Sequence, residues 1–429
     1  MSKEAKKRGA QGAGTIRKKT VTRNGQSYTY WEARITTGHD AGTGKQIQRS
    51  FSGKTQTEVR KKMQAAAVAV DDGSYFEASK LTFGRWLDIW LDEYQADKKY
   101  LTTKHYRAQV ETHIKPNLGN VKLSDLTPVH IQKFYNGLLK SGKRTPKKDA
   151  DGKTIKDKSG KTVYETAGLS PKSVRNIHGC VIKALNVAID VGYLKVNPAE
   201  RVTLPRVEKA EIKPLNDDQV SAFLKEAQAD SCAAILQTII FSGMRESEAL
   251  GLTWDCVDFQ AGTIKINKQL QKRSIKDGGT VFASLKNDKE RTITAAPTVM
   301  GILKQQETDQ KQQRLQAGEV WEGWKSEKER KAALVFTTEI GTPITPTTLR
   351  RHFKTIAAKI GAPACRVHDL RHTFAVLSLQ NGDDVKTVQE NLGHATAAFT
   401  LDVYGHASER MKRESSARME AYIKSVSEG

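Results

Sequence analysis

Apolar and polar residues alternate with a period of two from residue 14 to about residue 51. Tyr28, Tyr30, Glu32 and Arg34 fall on one side of an extended chain, and Trp31, Ala33 and Ile35 on the other. Asn24-Gly25 and Gly42-Thr43-Gly44 interrupt the alternation with residues that suit tight turns, so the segment reads as a small antiparallel sheet. The period then lengthens. Val59, Met63, Ala66, Ala67 and Val70 recur at helical spacing after Thr55 and Thr57, either of which can cap the helix, and Asp72-Gly73 ends it. A second helical pattern opens at Thr82, which caps a stripe of Phe83, Trp86, Leu87, Trp90, Leu91 and Tyr94. Helices over residues 106–114, from Thr127-Pro128 to 139, and over 173–190 complete a four-helix block that Gly192 and Asn197-Pro198 close. Residues 204–215 are polar and bounded by prolines, as a linker is. No internal repeat or long low-complexity tract stands out.

At 429 residues the chain exceeds what one hydrophobic core supports, which with these breaks predicts three domains: residues 1–75, 80–203 and 213–429. The expected fold is mainly α with small antiparallel sheets: an N-terminal three-stranded sheet plus helix, a helical block, and a mixed α/β C-terminal domain. A formal charge of +22 points to a polyanionic partner. Residues 1–62 hold 15 Lys and Arg against 4 Asp and Glu, half of the excess. A second concentration lies in an insertion at residues 140–167, where residues 140–161 carry nine Lys or Arg against three Asp. A solvated loop and a phosphate-contacting one are equally compatible with that composition. The longest apolar stretch, residues 232–241, is short and broken by Gln237 and Thr238, and nothing resembles a secretory leader or a lipidation motif. These features favour DNA over a membrane and a cytoplasmic location. Cys180, Cys232, Cys256 and Cys365 have no close spacing, so free thiols packed in cores are expected.

The C-terminal part holds a set of candidate chemical groups. Arg245 follows a Gly243 turn between an apolar helix and the next one, where a side chain can be aimed into a cleft. Lys286 lies near the tip of a hairpin expected from residues 282–286 and 291–295. His368 and Arg371, three apart, share a helix face, while Leu370, Phe374 and Leu377 point to the core. His394 follows Leu392-Gly393, and Tyr404 sits in Asp-Val-Tyr-Gly-His. A phosphodiester attacked in line by a phenolate gathers charge on its non-bridging oxygens, which two arginine forks can meet with paired hydrogen bonds. A lysine can protonate the leaving 5′ oxygen. A covalent phosphotyrosine keeps the bond energy, so a 5′ hydroxyl can reseal the strand without a nucleotide cofactor.

In this order and context the chain resembles the tyrosine recombinases of the phage integrase family, and conjugative-transposon integrases in particular. The resemblance rests on Ser-Gly-Met-Arg-Glu-Ser-Glu, His-x-x-Arg, and Leu-Gly-His with a tyrosine ten positions beyond the histidine. It implies that Arg245, Lys286, His368, Arg371 and His394 activate the scissile phosphate and that Tyr404 attacks it. It further implies a core-binding role for residues 80–203, an arm-type DNA-binding role for residues 1–75, and a homo-tetramer acting on attachment sites to integrate and excise a mobile element. Accessory DNA-bending or excision factors belong to the same expectation; a cofactor or metal does not. His368 and His372 also have metal-ligand spacing, but Asp369 and Arg371 stand where a zinc helix needs glutamate and no cation. A DNA-binding regulator without cutting activity and a type IB topoisomerase are the alternatives. The first sits poorly with an intact tyrosine and two intact arginines, the second with a separate basic N-terminal domain. The last segment, residues 407–427, reads as a helix with Met411, Met419, Tyr422, Ile423 and Val426 along one side. It either covers its own core or, as the resemblance implies, docks on a neighbouring protomer.

Overall fold

The strand pattern near the N-terminus becomes a three-stranded antiparallel sheet in the order β1 (Thr15–Arg23), β2 (Gln26–His39), β3 (Gln46–Gly53). This is a computed structural model, and it describes residues 14–23, 25–39, 44–71, 81–149, 151, 153–157, 159–208, 214–285, 289–393, 396 and 409–427. Pairing of Arg23 with Gln26 leaves a two-residue connection, as the Asn-Gly pair predicts. Helix α1 (Gln56–Asp71), with the Glu58 amide held by Thr55, covers the face carrying Ala33 and Ile35, and Val59 and Ala66 are buried there. The opposite face carries Tyr28, Tyr30 and a cationic ring. Arg17 donates to Glu32 at 2.6 Å, and Lys19 and Arg34 lie 3.6 Å from the same carboxylate.

The helical block comprises α2 (Phe83–Glu93), α3 (Tyr100–Gln109), α4 (Lys115–Leu118), α5 (Pro128–Ser141) and α6 (Pro171–Asp190). The second helix starts at Tyr100, earlier than its apolar stripe suggests, and runs through one π-helical turn at Val110–Ile114 that buries Val110 and Ile114. Trp86, Leu87, Trp90, Ile131, Tyr135, Ile177 and Leu185 form the core, and the buried Trp86 indole donates to the Ala184 carbonyl at 2.9 Å. Between α5 and α6 the chain makes the hairpin β4 (Lys143–Pro146) and β5 (Tyr164–Ala167).

Contacts divide the chain into two units, residues 1–209 and 210–429, and the break falls inside the proline-bounded linker. The second unit contains α7 (Asp217–Ala227), α8 (Ala233–Ser242) and α9 (Glu246–Leu250), followed by strands β6 (Val257–Asp258), β7 (Thr263–Ile266), β8 (Gln269–Lys272), β9 (Thr280–Ala283) and β10 (Arg291–Thr294). Then come α10 (Pro297–Ala317), α11 (Glu327–Ala332), α12 (Pro346–Lys359), α13 (Val367–Gln380), α14 (Val385–Leu392) and α15 (Glu409–Ser427). The hairpin expected from residues 282–286 and 291–295 does not form. β9 folds back on β8 as a separate ribbon, and β10 joins β7 and β6 in the order β10-β7-β6. The reason is local: Gly278 and Gly279, both at positive φ, reverse the chain and bring β9 antiparallel to β8, while β10 pairs with β7. Cys180, Cys232 and Cys256 are buried and all four cysteines are free thiols.

Candidate active site

Helix α8 is apolar on nearly every face and ends at Gly243, whose φ of 66° lies in the left-handed region. The glycine is required twice over, because a Cβ there would stand 2.5 Å from the Phe374 ring. The reversal presents Arg245 as N-cap of α9, with Glu248 in the third helical position, whose carboxylate reaches back to the Arg245 amide. Glu248 is 2 % exposed. It accepts from the Arg245 amide at 2.9 Å, from the Arg245 guanidinium at 2.7 Å and from Arg291 on β10 at 2.6 Å. Burial alone would raise its pKa, but the hydrogen bond and charge of Arg291, then the charge of Arg245, reverse that and hold it at about 2.

Three arginines converge on the C-terminal end of α14. Arg291 donates to the Asn391 carbonyl at 2.8 Å, Arg371 donates to the Leu392 carbonyl, and Arg245 reaches the Gly393 carbonyl at 3.4 Å. Arg371 also donates to the Gly243 carbonyl at 2.6 Å, which ties α13 to the turn before Arg245. These carbonyls have no partner further along α14, and the helix dipole makes its C-terminus negative, so cations are stabilised there on both counts. The result is a cationic frame around the chain immediately before His394. Arg371 is more deeply placed than its helix face suggests, at 2 % exposure, whereas Arg245 keeps 23 % of its side-chain surface accessible.

His368 lies on the exposed face of α13 and meets the His372 ring edge-on at 4.8 Å. Packing on one side, then His372 and Arg371, hold its pKa below the ordinary imidazole value, so at neutral pH it is uncharged and able to accept one hydrogen bond and donate another. The structure thus brings Arg245 and Arg371 together and places His368 one turn from Arg371. Lys286, His394, Tyr404 and His406 lie outside the described residues. Sequence reasoning missed Glu248 and Arg291. A glutamate three residues after a helix-capping position was a legible sign for the first; nothing in the sequence pointed to Arg291, whose role depends on which strand β10 joins. Among the described residues, Asp230, Cys232 and His352 also cluster, but both Asp230 oxygens are engaged by His352 and one also by the Cys232 amide.

Gly243→Ala is expected to displace Phe374 and the carbonyl that anchors Arg371. It should lower stability by about 1–3 kcal/mol, measured by denaturant titration. Unchanged stability would mean that the turn can rearrange at no cost.

Residues 213–411 match the phage integrase family, and residues 82–139 match the N-terminal SAM-like domain of phage integrases. The chain belongs to the phage integrase family. A XerC-like tyrosine recombinase from Caldanaerobacter subterraneus subsp. tengcongensis is 25 % identical over 411 residues, covering 92 % of this chain and 96 % of the relative. An integrase from Streptomyces ambofaciens is 27 % identical, covering 87 % and 88 %. Among solved structures, the Tn1549 transposon integrase in complex with a circular intermediate DNA superposes with a TM-score of 0.61 at 18 % identity, covering 79 % of this integrase and 99 % of that chain. Family membership makes this integrase a tyrosine site-specific recombinase with the expected fold, mainly helical with small antiparallel sheets. No described helix is long and apolar enough to cross a membrane.

Proposed function

We propose that this integrase cuts and rejoins DNA through Tyr404, with Arg245, Lys286, His368, Arg371 and His394 activating the scissile phosphate. The observation that carries the reading is the convergence of Arg245 and Arg371 on the end of α14, directly before His394 and eleven residues before Tyr404. Two guanidiniums held by buried carbonyls and by Glu248 are pre-oriented, so little reorganisation is needed when charge develops on a pentavalent phosphate. A neutral His368 supplies a hydrogen bond to a non-bridging oxygen. Lys286 protonates the 5′ leaving oxygen as its bond to phosphorus breaks, while the Tyr404 oxygen bonds to phosphorus and gives up its proton to His394. Strand exchange reverses the step with a different 5′ hydroxyl. The chemistry needs no metal. Nicked attachment-site DNA incubated with the protein in EDTA should therefore trap a covalent 3′-phosphotyrosine adduct that peptide mapping assigns to Tyr404. Mapping to another residue would overturn the assignment.

The three parts divide the DNA between them: residues 1–75 read arm-type sites, residues 80–203 bind the core site, and residues 213–429 carry the chemistry. The open face of the N-terminal sheet supports the first role, with Arg17, Lys19 and Arg34 set among Tyr28 and Tyr30. A homo-tetramer on two DNA partners, integrating and excising a mobile element with the help of DNA-bending or excision factors, completes the reading. Helix α15 bears on assembly. Met419, Tyr422, Ile423 and Val426 are 49–63 % exposed, so among the described residues its apolar side covers no core, and it fits docking on a neighbouring protomer. Ending the chain after Ala407 should leave site binding intact in mobility-shift assays and abolish strand exchange between paired sites. Wild-type recombination by the truncated protein would refute docking in trans.

A further inference from the structure

The insertion between α5 and α6 is built more tightly than a solvated loop requires. Lys147 donates its amide to the Val163 carbonyl at 2.9 Å, Val163 to Ile155 at 3.0 Å and Ile155 to Lys147 at 2.9 Å, a closed triangle of backbone hydrogen bonds. Two isolated bridges, Lys148 with Thr154 and Lys156 with Thr162, extend it into two tips. The tips repeat one another in sequence, Lys-Asp-Ala-Asp-Gly-Lys-Thr at 148–154 and Lys-Asp-Lys-Ser-Gly-Lys-Thr at 156–162, a short repeat with a period of eight residues.

They also repeat in geometry. Asp149 Oδ1 accepts from the amides of Asp151 at 3.0 Å and Lys153 at 2.8 Å. Asp157 Oδ1 accepts from those of Ser159 at 2.8 Å and Lys161 at 3.0 Å. The carboxylates are thus occupied in shaping the turns. Lys143, Lys147, Lys148, Lys153, Lys156 and Lys161 are exposed, and among the described residues none of them forms an ion pair. Arg144 stacks on the Tyr164 ring at 4.6 Å, which stiffens the base.

Ordering this segment, in which only Ile155, Thr162 and Val163 are half-buried among the described residues, has an entropic cost that little apolar burial offsets. What the ordering achieves is a fixed display of unpaired ammonium groups on two matched tips. We infer that residues 147–163 form a DNA-binding prong whose lysines contact backbone phosphates of duplex DNA, adding affinity without reading sequence. The inference rests on DNA being the substrate and is independent of which residue is the nucleophile.

The test uses the full chain carrying Tyr404→Phe, which separates binding from cleavage. One variant carries Lys148→Gln, Lys153→Gln, Lys156→Gln and Lys161→Gln. A second replaces residues 147–163 by Asn-Gly, closing the hairpin directly because Pro146 pairs with Tyr164. Dissociation constants on a long attachment-site duplex are measured across salt concentrations. Each phosphate contact contributes about 0.9 to the log–log slope, so the quadruple variant should lose about 2–4 from it and bind at least tenfold more weakly at low salt. The hairpin variant should lose as much or more, with the unfolding transition of the helical block unchanged. A slope within 0.5 of the parent in both variants would overturn the proposal. So would an unchanged slope with impaired protomer assembly, since the prong would then face protein. A parent protein whose binding shows no salt dependence would instead fault the DNA-acting reading itself.

Discussion

Tyr404→Phe is expected to bind attachment-site DNA with the parent affinity and to form no covalent adduct under any condition tested. The substitution removes one oxygen and keeps the ring, so packing around residue 404 changes little while the attacking atom is gone. Affinity comes from phosphate contacts spread over a chain of formal charge +22, and one phenol adds almost nothing to that sum. The loss should exceed any other single substitution, because no neighbouring group can replace a missing nucleophile; the other residues would only raise a barrier that Tyr404 must cross. Adducts are counted on denaturing gels with nicked substrates, where release of the short strand beyond the nick prevents religation. Residual adduct above background would show that a second residue attacks.

How much of this was legible in the sequence follows from the range of each interaction. The sheet and the helical block were readable because period-two and period-3.6 stripes, turn pairs and capping residues act within a few positions. Arg245 was readable in the same way: a glycine at positive φ followed by a helix start is a local signal. The mistaken hairpin shows the limit, since residues 282–286 and 291–295 alternate suitably, yet β9 pairs with β8 and β10 with β7. A tight glycine turn settles the first pairing and a non-adjacent strand the second, and alternation encodes neither. Arg291 was lost for that reason, because only the β10–β7 pairing brings it beside Glu248, 43 positions earlier. The depth of Arg371 was unreadable for a related one. A cation is buried at 2 % exposure only where carbonyls from two other segments, Gly243 and Leu392, meet it.

Glu248→Gln should cause the largest loss of stability. The carboxylate is the only anion in reach of both Arg245 and Arg291 among the described partners, and an amide would leave two guanidiniums without compensating charge and turn an N–H toward one of them. Breaking one side of a buried pair costs about 3–5 kcal/mol, which denaturant titration at pH 7 would measure. The pH dependence gives an independent sign. Glu248 is held at about 2 in the folded chain against an ordinary value of 4.5, so its contribution is present above 4.5 and lost as pH falls from 4.5 toward 2. That shift corresponds to about 3 kcal/mol, and the variant should lack this part of the acid limb. Replacing the pair by apolar groups, Glu248→Leu with Arg291→Met, separates stability from function. Removing both charges should recover most of the lost stability, yet Arg245 would no longer be held from its inner side, and adduct formation should stay at least tenfold below the parent. Recovery of adduct formation along with stability would mean that Glu248 and Arg291 only fill space, and that Arg245 finds its position unaided.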